Sequence, residues 1–185
     1  MQYFELCNED GSGTGIIKER SAVHRDGDLH GGSHVWIVGN RYDDRSFDVL
    51  LQKRSDDKDA FPGCFDISCA GHIAAGEDFL CAAVRELDEE LNIKSGKSDL
   101  LFLFKQLVSW EGSFHGKPFK NREVNFVYLL NRDVTPDDIR YQKSEIQAVI
   151  WKNSVAILER LKEHDTNYCI QLYEFEHLIR CMEQI

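Results

Sequence analysis

The chain is short of basic residues, of proline and of long apolar runs. Its 185 residues include 22 Lys and Arg against 32 Asp and Glu, which gives a formal net charge of −10, and only 3 prolines. A nucleic-acid polymer normally requires a basic patch, so we do not expect one as ligand. Apolar runs never approach the roughly 20 residues of a membrane helix, and the N-terminus lacks the basic and apolar parts of a signal peptide. We therefore expect neither a membrane span nor secretion.

The chain also lacks the patterns that indicate disulfide bonds or separate domains. Its 6 cysteines form no CxxC pair, and a chain of this length does not need a disulfide framework, so a reducing compartment and a cytoplasmic location are predicted. No repeat, low-complexity tract or linker rich in Pro or Ser interrupts the sequence. We therefore predict one domain over residues 1–185.

Hydrophobic periodicity predicts an alternation of strands and helices. Strands are predicted over 4–7, 35–38, 48–52, 65–68, 100–110, 124–130 and 146–151, and helices over 78–91, 154–163 and 168–182. The segment 16–32 fits neither pattern. This order of elements predicts an α/β protein in which helices pack on the faces of a mixed β-sheet.

Three carboxylates lie on one face of the helix predicted over 78–91. Glu86, Glu89 and Glu90 have the spacing i, i+3 and i+4, at which like charges repel each other. A hard divalent cation is the natural partner of clustered carboxylate oxygens, and a bound cation allows an acidic protein to attract phosphate. The pattern favours a metal site; the alternative is a solvated acidic helix face.

The stretch from Gly71 to Ile93 resembles the signature of the Nudix hydrolases. That signature is a Gly, five residues, a Glu, seven residues, and then Arg-Glu-apolar-any-Glu-Glu-any-Gly-apolar. The matching residues are Gly71, Glu77, Arg85, Glu86, Leu87, Glu89, Glu90 and Ile93. Asn92 stands where the family has glycine, and Asn is the next-best residue for a left-handed helix C-terminus.

The resemblance implies an α/β/α sandwich with a mixed sheet, in which a loop-helix-loop holds Mg²⁺ or Mn²⁺ against a diphosphate. Glu86, Glu89 and Glu90 would be the metal ligands. The implied reaction is hydrolysis of a diphosphate linkage in a small molecule, either nucleoside-diphosphate-linked or of another kind. The catalytic base stays open between the helix carboxylates and Glu123.

Further roles are implied by the same resemblance. Gly71, Glu77 and Arg85 would be structural orienters of the carboxylates, with Arg85 pairing Glu89 four residues later. A homodimer is also expected, because dimers are frequent in the family.

Segments 23–37, 50–72 and 121–129 resemble the Nudix branch that contains the isopentenyl diphosphate isomerases. In those enzymes histidines and glutamates form an additional metal site. The residues that align with part of it are His24, His30, His72 and Glu123, whereas Asn121 stands where a second glutamate would be. A second metal site is therefore a candidate feature.

One position argues against the isomerase reaction. Ala70 stands where the reactive cysteine of the isomerases would be, and Cys69 is displaced by one residue, which turns its side chain to the opposite face of an extended segment. We therefore prefer hydrolysis. An isopentenyl diphosphate isomerase is the first alternative, and a non-catalytic nucleotide sensor is the second.

Basic side chains are candidates for phosphate contacts, because an anionic ligand in an acidic protein needs local positive charge. Lys53, Arg54 and Lys58 precede the motif, and Lys117 and Lys120 lie in a later loop. The alternative for each is a solvated surface residue.

The tryptophans lie in predicted strands. Trp36, Trp110 and Trp151 are therefore predicted in the core, although Trp110 and Phe114 are close enough to a loop to stack on a base instead.

Overall fold

A computed structural model describes residues 2–43, 46–58, 60–114, 116–132, 134–135 and 139–185. The strands are β1 (Tyr3–Cys7), β2 (Gly13–Glu19), β3 (His30–Arg41), β4 (Phe47–Arg54), β5 (Phe65–Asp66), β6 (Cys69–His72), β7 (Leu101–Phe114), β8 (Lys117–Asn131) and β9 (Ile146–Asn153). The helices are α1 (Arg20–Asp26), α2 (Phe79–Leu91), α3 (Ser154–Lys162) and α4 (Leu172–Met182), with a 3₁₀ turn at Lys97–Asp99. No helix in these ranges is long and apolar enough to cross a membrane.

Strand β3 is the centre of the sheet. On one side it pairs in parallel with β8 along nine residues, and β8 continues through a hairpin into the edge strand β7. On the other side it pairs antiparallel in turn with β1, β6 and β4. Strands β5 and β9 pair with β4, and β2 pairs with β1. The predicted mixed sheet is therefore confirmed.

The two faces of β3 are buried against different helices, because successive side chains of a strand point to opposite faces. Val35 and Ile37 belong to one core cluster with the apolar face of α2. Trp36 and Val38 belong to a second cluster with α3 and α4. Helices thus cover both faces, and the α/β/α sandwich is confirmed.

Several element boundaries differ from the predictions. The last helix begins at Leu172 rather than at residue 168, because the backbone of Asn167 and Cys169 is hydrogen-bonded to Phe65 at the edge of the sheet. The strand predicted over 65–68 covers only the two residues of β5, and β6 follows outside it at Cys69–His72; β3, β7 and β8 are longer than predicted. The ambiguous segment 16–32 contains most of β2 and all of α1.

The tryptophan predictions hold in part. Trp36 is fully buried, as predicted for a core residue. Trp110 and Trp151 are only half-buried, so the core prediction is wrong for Trp110, which lies beside a cavity. Trp151 packs at the margin of the α2 cluster and donates through Nε1 to the carbonyl of Val134 at 2.8 Å.

A buried carboxylate joins α4 to the sheet. Glu174 is 1% exposed and accepts hydrogen bonds from His34 Nδ1 at 3.0 Å, from Trp36 Nε1 at 3.1 Å and from the Gln106 amide. Burial alone lowers the pKa of His34, but the charge and hydrogen bond of Glu174 outweigh it and raise the pKa of His34 to about 9. The two side chains therefore form a buried ion pair near neutral pH.

This ion pair predicts a pH-dependent stability. The pKa of His34 is about 9 in the folded protein and about 6.5 in the unfolded chain. The stabilisation, about 3 kcal/mol from that difference, is complete below pH ~6.5 and is lost as the pH rises through about 9. Urea denaturation from pH ~6 to pH ~10 measures it in the wild type and in Glu174→Gln. The variant should be destabilised and should have lost most of this pH dependence; parallel curves would contradict the pairing.

Candidate active site

The helix that carries the carboxylates begins and ends as its sequence dictates. Asp78 precedes α2 and accepts a hydrogen bond from the backbone N–H of Cys81 at 2.8 Å, as an N-cap residue does. Asn92 ends the helix in the left-handed conformation with φ 55°. The replacement of glycine by asparagine at this position is therefore compatible with the helix end.

Arg85 holds the loop, the helix and strand β6 together. Its guanidinium donates to both carboxylate oxygens of Glu77, each at 2.9 Å, and to the carbonyl of His72 at 3.1 Å. It also donates to Glu86 at 2.7 Å and to Glu89 at 3.0 Å. The predicted pairing of Arg85 with Glu89 is confirmed, and Glu77 is positioned through Arg85.

Gly71 leaves room for the carboxylate of Glu86. A Cβ built on Gly71 would lie 2.0 Å from Cδ of Glu86, far inside van der Waals contact. The glycine of the motif is therefore required by the close approach of a side chain and not by an unusual backbone angle.

The three motif carboxylates line one cleft of about 320 Å³, which we call the carboxylate cleft. The side chain of Glu89 is 57% exposed at its rim, whereas that of Glu86 is 12% exposed. Burial, followed by the charge of Glu86, raises the pKa of Glu90 to about 8. Glu90 Oε2 is buried and has no hydrogen-bond partner among the residues that the structure describes. A hard dication would supply the missing partner and offset the repulsion, so these residues fit the metal that their sequence predicts.

Beside the carboxylate cleft, three imidazoles converge. His24 from α1, His30 from β3 and His72 from β6 each offer a ring nitrogen, and these nitrogens lie within 4.8 Å of one another. The ring of Phe4 stacks on His30 and His72, and that of Phe119 stacks on His24. We call this group the histidine site.

Hydrogen bonds determine which nitrogens of the histidine site are free. His24 Nδ1 lies 2.8 Å from the carbonyl of Arg20, and His30 Nδ1 lies 3.0 Å from the carbonyl of Asp28. A carbonyl only accepts, so each Nδ1 carries the proton and each Nε2 keeps its lone pair. Both Nε2 atoms are buried and without a hydrogen-bond partner in the described ranges. Metal-ligating histidines have this arrangement.

The protonation states of these histidines also allow them to bind a cation. Burial lowers the pKa of His24 to about 4 and lowers the pKa of His72, so both imidazoles are neutral at pH 7. Glu123 Oε1 lies 3.1 Å from His72 Nε2 and 3.5 Å from His30 Nε2. Burial raises the pKa of Glu123, but its contacts with His30 and His72 outweigh burial and hold that pKa well below its usual range. An ionised Glu123 can therefore bind a divalent cation. Because its pKa is so low, it is a weak general base.

The basic candidates differ in where they lie. Arg54 and Lys58 line the carboxylate cleft, whereas Lys53, Lys117 and Lys120 do not. Lys53 faces away because it alternates with Arg54 along β4.

Residues outside the predicted site also line the carboxylate cleft. Arg20, at the start of α1, is one of them, together with Gln52, Gln142 and Glu145. The segment 16–32 had no assigned structure, so Arg20 was missed. Its spacing of four residues from His24 is the signal that would have indicated a shared helix face.

Strand β6 shows which residue stands at the position of the isomerase cysteine. Ala70 lines the carboxylate cleft, whereas Cys69 is fully buried in the α2 cluster on the opposite face. The predicted orientation of Cys69 is confirmed, and no thiol stands at the position of Ala70.

Comparison with known proteins agrees with this geometry. The family model of the NUDIX domain matches residues 32–170. The chain belongs to the NUDIX family. Nudix hydrolase 3 of Arabidopsis thaliana is 42% identical over 153 residues, which are 80% of this chain but 19% of that protein. This NUDIX chain therefore spans only a small part of that relative.

Two further comparisons cover nearly the whole NUDIX chain. An isopentenyl-diphosphate Delta-isomerase of Nocardia farcinica is 36% identical over 172 residues, which are 92% of this chain and 90% of that protein. The crystal structure of DR0079 from Deinococcus radiodurans superposes with a TM-score of 0.68 at 20% identity, covering 97% of this chain and 99% of that one. The similarity to DR0079 supports the fold alone.

The steric role of Gly71 is testable. The Cβ of Gly71→Ala would displace the Glu86 carboxylate, and overpacking of this kind costs about 1–3 kcal/mol. We expect Mn²⁺ affinity, measured by electron paramagnetic resonance titration, to fall by about 10- to 100-fold.

The matched control is Gly96→Ala, whose new Cβ would make only ordinary contacts, the nearest at 3.7 Å from Ser98. It should bind Mn²⁺ like the wild type. Equal affinity in all three proteins would refute the role given to Gly71.

Proposed function

We propose that this chain is a divalent-metal-dependent pyrophosphohydrolase that cleaves a diphosphate linkage in a small molecule. The observation that carries the proposal is the buried oxygen of Glu90, which has no hydrogen-bond partner among the described residues, in a cleft lined by Glu86 and Glu89. Arg20, Arg54 and Lys58 line the same cleft. The cleft therefore combines carboxylates that can bind a metal ion with basic side chains that can bind phosphate. A metal-bound diphosphate requires both.

Mg²⁺ or Mn²⁺ would be held by Glu86, Glu89 and Glu90. When bound, such an ion neutralises phosphate charge and lowers the pKa of water. In the overall reaction, water adds to one phosphorus, the bridging P–O bond breaks, and two phosphate-bearing products and a proton leave. Arg85 keeps Glu86 and Glu89 in position through hydrogen bonds of 2.7 and 3.0 Å.

The basic side chains bind and orient the anionic substrate. Arg54 is fixed by hydrogen bonds to Asp66 at 2.8 Å and to the carbonyl of Ala60 at 3.1 Å, which aims its guanidinium into the cleft. Lys58 pairs with Glu145 at the rim. A guanidinium held in this way is suited to phosphate oxygens, because its planar fork donates several parallel hydrogen bonds.

We also propose that the histidine site binds a second divalent cation through His24, His30, His72 and Glu123. The Nε2 atoms of His24 and His30, which have no hydrogen-bond partner in the part of the chain that the structure describes, and the ionised Glu123 support this role. In that case Glu123 is a ligand, and the catalytic base is found among the helix carboxylates.

An isopentenyl diphosphate isomerase is the second candidate function. The histidine site and the 36% identity to an isomerase of Nocardia farcinica favour it. The isomerase reaction needs an acid and a base at fixed positions on carbon, and Ala70 offers neither. Product analysis separates the two, because hydrolysis gives a monophosphate and isomerisation leaves the diphosphate intact.

The cellular location of the protein stays a prediction. All six cysteines are free, which supports a reducing compartment and thus the cytoplasm. A single domain, a homodimer and the absence of a nucleic-acid polymer as ligand are likewise predictions.

Removal of one motif carboxylate tests the hydrolase proposal. Glu90→Gln keeps the shape of the side chain and removes the charge, so we expect phosphate release with Mg²⁺ to fall at least about 100-fold, as losses of this kind of electrostatic group do. The substrate screen covers nucleoside, sugar and isoprenoid diphosphates, and circular dichroism checks that the fold is intact. Equal turnover in wild type and variant would refute the assignment, and tight binding without turnover in the wild type would favour the sensor.

The two proposed cation sites are separable. Mn²⁺ titration should detect two classes of site in the wild type. Glu90→Gln should weaken one class and leave the other, and His30→Ala should have the opposite effect, because the two residues line different clusters. Loss of both classes in either variant, or one class in the wild type, would contradict separate sites.

A further inference from the structure

Strand β7 is an open edge of the sheet. It is 14 residues long and pairs with β8 on one side, and no other strand among the described residues pairs with it. An edge strand presents unpaired backbone N–H and C=O groups on its outer side, which form a template for another strand. No proline interrupts these groups in β7. The strand can therefore extend the sheet into a second chain.

The part of β7 from Phe104 to Gly112 is regular. A register shift separates Phe102 from Phe104, but from Phe104 to the end of the strand the register with β8 is constant. Alternate side chains of this part point to one face and are exposed; they are Lys105, Leu107, Ser109 and Glu111. The leucine among them is 50% exposed. One face of the edge is thus available to a neighbouring strand along its whole regular part.

Two opposite charges on this face are placed symmetrically. Lys105 lies three positions before Val108, and Glu111 lies three positions after it. Neither side chain has an ion-pair partner within the part of the chain that the structure describes. In an antiparallel pair, residues directly opposite each other have Cβ atoms about 4.5–5.5 Å apart on the same face. Two copies of β7 that pair around Val108 therefore bring Lys105 of each copy opposite Glu111 of the other.

The neighbouring symmetric registers lack this complementarity. A pairing centred on Leu107 would place Lys105 opposite Ser109, and a pairing centred on Ser109 would place Glu111 opposite Leu107. Of the three registers, the one centred on Val108 pairs both charges. An unrelated strand would need the same order of charges to match this edge, whereas a second copy of the chain already carries it. The charges therefore favour a second copy as the partner.

We infer that two copies of this chain pair antiparallel through β7, with a two-fold axis at Val108. Backbone hydrogen bonds join the regular parts of the two strands, and two symmetric ion pairs join Lys105 of each copy to Glu111 of the other. The small side chain of Ser109 stands opposite Leu107 of the second copy and leaves room for it. A homodimer was expected from the family resemblance, and β7 gives it an interface and a register. The inference does not depend on the proposed function.

Charge reversal tests the ion pairs. Sedimentation equilibrium of the full chain, whose mass is 21.4 kDa, measures the dissociation constant of the dimer. Lys105→Glu and Glu111→Lys should each raise that constant at least about 10-fold, because each places like charges opposite each other twice in a symmetric interface. The combined variant, Lys105→Glu with Glu111→Lys, exchanges the two signs and should restore the wild-type constant.

The matched control is Glu159→Lys. It makes the same change of charge as Glu111→Lys, but on the exposed surface of α3. Because this residue lies on a helix and not on the edge of the sheet, the control should keep the wild-type dissociation constant.

Cross-linking tests the register. Lys105→Cys mixed with Glu111→Cys should give a disulfide-linked dimer under a mild thiol oxidant, because directly opposite residues of antiparallel strands lie within reach of a disulfide. Lys105→Cys alone should not, since its two new thiols would be about 20 Å apart along the strands. The wild type under the same oxidant corrects for the six native cysteines, all of which are free.

Three outcomes would overturn the inference. The first is a wild type that stays monomeric at about 1 mM, the weak end of specific affinities. The second is a dimer that neither charge reversal weakens, because such a dimer uses another surface. The third is a dimer that both reversals weaken and the combined variant does not restore. Since the oligomeric state is measured without substrate, each of these outcomes leaves the proposed hydrolase untouched.

Discussion

The carboxylate cleft depends on Arg85. Three carboxylates, Glu77, Glu86 and Glu89, accept hydrogen bonds from this one guanidinium, which also reaches the carbonyl of His72. Without a central cation these like charges would repel one another. Arg85 neutralises part of the cluster permanently, and because it is bonded to loop, helix and strand at once, it fixes the positions from which the remaining carboxylate oxygens face the cleft.

One face of strand β3 carries site residues at the start of the strand and core residues further along. His30 belongs to the histidine site, His34 lines the cavity beside Trp110, and Trp36 belongs to the cluster under α4. Between the histidines, Gly32 is needed because a Cβ there would lie 2.0 Å from Asn125 Oδ1. The rigid, doubly covered part of the strand thus supports the part that lines the site, which favours preorganised side chains.

Spacing in the sequence predicted local features, whereas the one assembled feature that was predicted, the histidine site, came from the family resemblance. The residues from Gly71 to Asn92 act within one loop and one helix. Their spacing indicated the clustered carboxylates, and the resemblance to the Nudix signature implied the pairing of Arg85 with Glu89 and the left-handed helix end. The pair of His34 and Glu174 joins residues 140 positions apart, and no spacing reports such a contact.

The misassigned elements have equally physical reasons. The start of α4 is set by backbone pairing with Phe65, a long-range contact, and α1 is only seven residues long, too short for periodicity to identify. The order of strands and longer helices was predictable, because each carries a clear apolar pattern of its own.

The N-terminal hairpin and α1 form a wall that the family match does not include. Arg20, His24 and His30 all precede residue 32, where the match begins, yet two of the three imidazoles and one guanidinium of the carboxylate cleft come from this stretch. Because the signature helix and these residues belong to separate stretches of the sequence, substitutions in α1 or at the start of β3 would change the side chains beside the carboxylate cleft and leave the signature itself unchanged.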